Sequence, residues 1–221
     1  MPARTALVIS IALHGACAAG VVPPTLTDVG STVIASDGHM QSGLRVASGA
    51  HLASGQTARD RNIDAGIGVV YERLAAPSVA GSEARALGGT TGEDGGPEVI
   101  EARGSYVDAA AVMQRGGSNR TWIGARSELM KQDGPDGGRV VGTTMARISW
   151  EAYGPVKAAG ADSSGSTFGA GFAYGAFAMG LFVESGVRYA EGERPAFIAI
   201  GGMSLRMPWM GGFAFDLSPR W

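Results

Sequence analysis

Residues 166–221 read STFGAGFAYGAFAMGLFVESGVRYAEGERPAFIAIGGMSLRMPWMGGFAFDLSPRW, and this stretch decides the fold. From Ser166 to Ala176 one parity holds Phe168, Ala170, Phe172, Tyr174 and Ala176, while the other holds Thr167, Gly169, Gly171, Ala173 and Gly175. Bulk on one side and almost nothing on the other, at a period of two, marks a β-strand rather than a helix. The next segment keeps the period in opposite phase: Met179, Leu181, Val183, Val187 and Tyr189 share a face, with Gly180, Glu184, Gly186 and Arg188 behind them. Two more segments follow, Ala196 to Arg206 and Gly211 to Ser218, with Met207-Pro208-Trp209-Met210 read as a tight connection. Short links between successive strands predict an antiparallel meander.

Upstream the same alternation recurs. Leu44, Val46, Ala50 and Leu52 oppose Arg45 and His51; Ile63, Ala65, Ile67, Val69 and Tyr71 oppose Asp64, Gly66, Gly68 and Glu72. Val99 to Val112 is less regular, with Ile100, Ala102 and Tyr106 opposite Glu101, Arg103 and Ser105 and a slip at Asp108 that a bulge would explain. Thr121, Ile123, Ala125 and Leu129 oppose Arg126 and Glu128, and Val140, Ala146, Ile148 and Trp150 oppose Arg147, Ser149 and Glu151. A weak strand is expected at Ser31 to Ser36. The fold class is therefore all-β: a closed antiparallel up-and-down barrel of eight strands, or ten, since single-chain bacterial membrane barrels have an even number.

Composition agrees with that class. The 36 glycines lie well above the average of about 7%, and the 17% of charged residues falls below the usual ~25%. No Gly-X-Y repeat is present, which excludes collagen. A formal net charge of −2 gives no attraction to nucleic acid.

The segment 1–18 reads as an export signal, with Arg4 as the positive region, Thr5 to Leu13 as a short apolar core and Ala16-Cys17-Ala18 as a cleavage site. Cys17, the single cysteine, also permits a rival reading as a lipid-modified first residue, although His14 stands where a lipoprotein box prefers Leu. Residues 19–40 are read as an N-terminal arm, because Pro23-Pro24 blocks a helix and the stretch is rich in Pro, Thr and Ser. The barrel then spans 41–221, with a long loop at 75–98 rich in Gly, Ser, Thr and Pro. No run of apolar residues is long enough for a transmembrane helix.

The position of the charges carries the functional reading. Glu72, Arg126, Glu128, Arg147, Glu151, Glu184, Arg188 and Arg206 all sit opposite the apolar face of their own strands. A lipid-facing wall must be apolar, and a narrow lumen is filled by side chains that must pair if charged. These four acids and four bases are expected to form an interior Arg/Glu ladder. The competing expectation is a soluble barrel with its charges in water and its aromatics lining a lipocalin-like cavity for an apolar small molecule.

The export segment, the meander, the polar-in and apolar-out alternation, the long loop and the C-terminal Phe213, Phe215, Leu217 and Trp221 resemble small bacterial outer-membrane barrels of the OmpA/OmpX type. That resemblance implies residence in outer-membrane lipid, insertion by the barrel-insertion machinery through the aromatic terminus, and a structural, adhesive or interaction role carried by loops toward an extracellular partner. Pro219 fits a final strand poorly.

No enzyme chemistry is expected. His39 and His51 are the histidines beyond the export segment. A catalytic triad would have to recruit His51 with Ser48 or Ser54, whereas an ordinary inward polar side chain suffices. Asp133 and Asp136 lack the spacing of a calcium loop, and Gly66-x-Gly68 and Gly169-x-Gly171 lie inside strands instead of opening a helix, so neither cofactor nor metal is expected.

Overall fold

A computed structural model of the chain describes residues 17–55, 62–75, 78–79, 99–133, 138–164 and 167–216. Most of the export segment, nearly all of the long loop and the terminal residues Leu217 to Trp221 lie outside the described residues. The strands are β1 (Cys17–Val22), β2 (Thr25–Ser36), β3 (His39–His51), β4 (Ile63–Ala75), the two-residue β5 (Ser78–Val79), β6 (Val99–Arg115), β7 (Asn119–Asp133), β8 (Arg139–Ser164), β9 (Thr167–Ala190), β10 (Ala196–Met207) and β11 (Trp209–Asp216). Among the described residues one 3-10 turn, Leu52–Gly55, interrupts them.

Eight of these strands close on themselves. Each of β2, β3, β4, β6, β7, β8, β9 and β10 pairs antiparallel with the next, and β10 pairs with β2 to seal the wall. Thr25–Ser36 is thus a full stave of the barrel, not part of an arm. Its inward residues, Leu26, Asp28, Gly30, Thr32 and Ile34, mix polar and apolar types. That mixture hides the strand from any test of hydrophobic alternation.

The quoted stretch forms one long hairpin and not four strands. Residues 167–190 are a single strand whose change of phase has a local cause. Between the pairs Arg206↔Ala178 and Trp209↔Tyr174, β9 carries three residues and its partner two. The extra residue makes a bulge, and Gly175 stands in it at φ 132°, a conformation that strongly favours glycine. Met207-Pro208 is likewise no turn, because β10 and β11 lie end to end along β9. On the neighbouring stave Pro23-Pro24 separates β1 from β2 in the same way.

Beyond these breaks the wall continues as an open four-stranded sheet, ordered β1, β11, β9, β8. Phe172, Tyr174, Trp209 and Phe213 are exposed on it. Gly20, Gly212, Gly171 and Gly160 fall in one register row across all four strands. The barrel therefore has an extension end, bearing this sheet, and a loop end, where the turns at 37–38 and 191–195 lie.

Glycine also shapes the interior. Gly49 and Gly68 face each other across β3 and β4, and a methyl group on Gly68 would lie 2.6 Å from the ring of Tyr106. The tyrosine lies over the pair, covering backbone that two larger residues would fill. Gly68→Val should expel that ring and lower stability by about 1–3 kcal/mol in urea unfolding, as overpacking does.

The slip expected at Asp108 is absent; the irregularity in β6 falls between Val112 and Gln114. In β6 the faces are also reversed from the sequence reading. Ile100, Ala102 and Tyr106 point inward and are buried, while Glu101 and Arg103 lie on the outside near the loop end.

Candidate functional site

The interior is the most heavily functionalised part of the molecule. Seven carboxylates line it among the described residues, Asp28, Asp64, Glu72, Asp108, Glu128, Glu151 and Glu184, against six guanidinium groups, Arg45, Arg120, Arg126, Arg147, Arg188 and Arg206. The eight residues singled out from the sequence are all inside and all buried. Strand pleat places them there, since each lies on the inward parity of its stave.

Nearest the loop end, Arg188 donates to Glu72 and, at 2.9 Å, to Gln132, while Arg45 pairs with Glu72 and Glu128. Apolar side chains share this half: Ile34, Leu74, Ile100, Met145, Phe182, Ile198 and Ile200 form one cluster. The lumen is thus part ion ladder and part hydrocarbon core.

At mid-height Arg147 grips Asp28 with both terminal nitrogens, at 2.7 and 2.9 Å, and reaches Glu184 at 2.7 Å. Arg126 donates to Asp28 and Asp108, both at 2.8 Å, and its other terminal nitrogen lies 3.2 Å from Glu184. Both guanidinium planes are stacked, Arg126 over Tyr106 at 4.3 Å and Arg147 over Phe182 at 4.5 Å. Bidentate and stacked contacts of this kind are what arginine provides and lysine does not. All described interior cations are arginines.

Toward the extension end Arg206 donates to Glu151 with two nitrogens at 3.1 Å and to Asp64 at 2.9 Å. Tyr153 donates to Glu151 and accepts from the Trp122 indole at 3.0 Å. His51 holds Asp64 through Nδ1 at 3.0 Å and the Tyr106 hydroxyl through Nε2 at 3.1 Å. Ser48 instead bonds Thr27 at 2.9 Å, away from His51, and Ser54 offers no described side chain. A small cavity here is walled by Leu26, His51, Asp64, Trp122, Ser149 and Arg206.

Cross-lumen pairs do what neighbouring pairs cannot. Arg147 and Glu184 are direct ladder partners, but Asp28 to Arg147 and Asp64 to Arg206 span the barrel. They fix β2 and β10, the two staves of the closing seam, to the opposite wall. Sequence reasoning put Arg45, His51 and Asp64 on the correct parity without joining them to the ladder. It missed Asp28 by reading its strand as an arm, and Asp108 by taking it for a slip.

Outside, the chemistry inverts. Val29, Leu44, Ile67, Val69, Val107, Ile123, Leu129, Ile148, Leu181, Val183, Phe197 and Met203 are exposed around the wall. Trp150 and Phe177 lie toward the extension end, and Tyr189 and Phe197 toward the loop end. Among the described residues no three His, Cys, Asp or Glu side chains are grouped to hold a metal ion. Among the described residues no helix is long and apolar enough to cross a membrane, which says nothing of a crossing made by strands.

No protein-family model matches the sequence, and no curated protein matches it.

Proposed function

We propose that the chain is a non-enzymatic β-barrel protein of the bacterial outer membrane, with a structural, adhesive or interaction role carried by its loops. The observation that supports this reading is sidedness: large apolar side chains clothe the exterior while the ionised ones pair within. In water that arrangement wastes the hydrophobic effect, and in a bilayer it satisfies it. Strand length fits as well. The 12 and 13 residues of β2 and β3 exceed the about 9–11 that a tilted membrane strand requires.

A soluble or lipid-anchored lipocalin-like barrel would use its interior for an apolar ligand. The ion pairs and packed tyrosine, tryptophan and phenylalanine side chains occupying this lumen favour a plugged wall instead. Cell-envelope fractionation with a heat-modifiability gel tests the choice. Detergent-dependent extraction and a fast-migrating unheated band are expected; complete release into buffer would defeat the membrane reading.

A further inference from the structure

Among the described side chains the outer wall carries one ionised patch, confined to three adjacent staves at the loop end. Register places Arg73, Glu101 and Asp133 side by side on β4, β6 and β7, and in the next row Tyr71, Arg103 and Lys131. Every other outward position with a described side chain on the eight staves is uncharged. On the same strands, the rows toward mid-wall hold Val69, Val107 and Leu129, each more than half exposed. A charged patch at the head of an apolar column has the shape of a lipid: polar group above, acyl chains below.

Its internal contacts decide which polar group. Arg103 donates to Glu101 at 2.7 Å, Tyr71 donates to the other oxygen of Glu101 at 2.9 Å, and the Arg103 guanidinium lies 5.8 Å over the Tyr71 ring. This trio holds Arg103 against the wall and occupies both oxygens of the acid. Lys131, directly opposite Arg103, is loosely paired with Asp133 at 3.8 Å and is largely exposed. Arg73 stands opposite Glu101. Three cations against two acids leave one net positive charge, which matches the single negative charge of a phosphodiester.

We infer that Arg73, Arg103 and Lys131 form a site for the phosphate of a membrane lipid whose acyl chains lie along Val69, Val107 and Leu129. The site rests on the bilayer reading, which places these rows at the membrane–water boundary. Guanidinium and ammonium groups supply charge-assisted hydrogen bonds to phosphate oxygens, and Glu101 keeps one guanidinium oriented before the lipid arrives.

The test uses the full chain in detergent micelles, with lipid retention read by native mass spectrometry. Phosphatidylglycerol is compared with diacylglycerol of the same acyl chains, on the wild type and on Arg73→Gln/Arg103→Gln/Lys131→Gln. Wild type should hold phosphatidylglycerol about tenfold more tightly than diacylglycerol, and the triple variant should lose that preference. Lys131→Gln alone should lower it severalfold, which covers the case of a triple variant that fails to fold. Equal retention of the two lipids by wild type, or an unchanged preference in a folded triple variant, overturns the site. Displacement of the lipid by millimolar inorganic phosphate would make it a free-anion site and overturn the lipid assignment. Failure of wild type to sediment with vesicles removes the bilayer reading and this site together; sedimentation without headgroup preference removes the site alone.

Discussion

Arg147→Leu should cost about 3–5 kcal/mol of stability, measured by urea unfolding in detergent, because it strands buried charge. Arg147 supplies two hydrogen bonds to Asp28 and one to Glu184, all at or below 2.9 Å. Leucine fills part of the space but neutralises neither acid, and the remaining Arg126 must then serve Asp28, Asp108 and Glu184 together. Adding Asp28→Asn to Arg147→Leu should restore part of the loss, since the uncompensated carboxylate is gone. Arg103→Leu is the control: that side chain is 61% exposed, and loss of its solvent-screened ion pair should leave stability nearly unchanged. A loss for Arg147→Leu no larger than for Arg103→Leu would mean that the interior ions contribute nothing to holding the wall.

The second large effect belongs to the opposite face. Val183→Arg should cost about 2–4 kcal/mol when the chain is folded into lipid vesicles, the price of a guanidinium at mid-bilayer. Val183 is 62% exposed and lies across from Ile148 and Gly201 on its two flanking staves, so the new side chain would meet only apolar surface and lipid. A water-soluble barrel gives the contrary result. There an arginine on an exposed strand face changes stability by no more than about 0.5 kcal/mol and improves solubility. The same substitution therefore separates two environments that share one fold.

Much of this architecture was legible in the sequence because a strand has a period of two and a barrel has two unlike sides. Glu72, Arg126, Glu128, Arg147, Glu151, Glu184, Arg188 and Arg206 were found by parity alone. What parity cannot see is a change of parity within a strand. Gly175 shifts the phase of β9 by one residue, so a continuous strand reads as two, and Pro208 makes two strands lying end to end look joined by a turn. Nor can parity recognise a stave whose inner face alternates between Leu26, Asp28, Gly30 and Thr32. The partners in the ladder were illegible for a different reason: which arginine meets which acid depends on the closing geometry of eight strands, and no local spacing encodes it. In β6 local pattern misled, because Ile100 and Ala102 pack inside with Leu74 and Met130 while the exterior near the loop end accepts Glu101 and Arg103.

The cross-lumen pairs also govern how such a chain can assemble. Asp28 and Arg147 are 119 residues apart, and Asp64 and Arg206 are 142 apart. A partly curled sheet holding only its nearest-neighbour hairpins leaves those ions hydrated and gains nothing from them. Their attraction becomes strong only when the last seam shuts and water leaves, so the energetic reward arrives late and all at once, after the longest loops have been closed. Assembly is therefore expected to be slow and cooperative, because the cross-lumen contacts favour the closed cylinder over a partly zipped one.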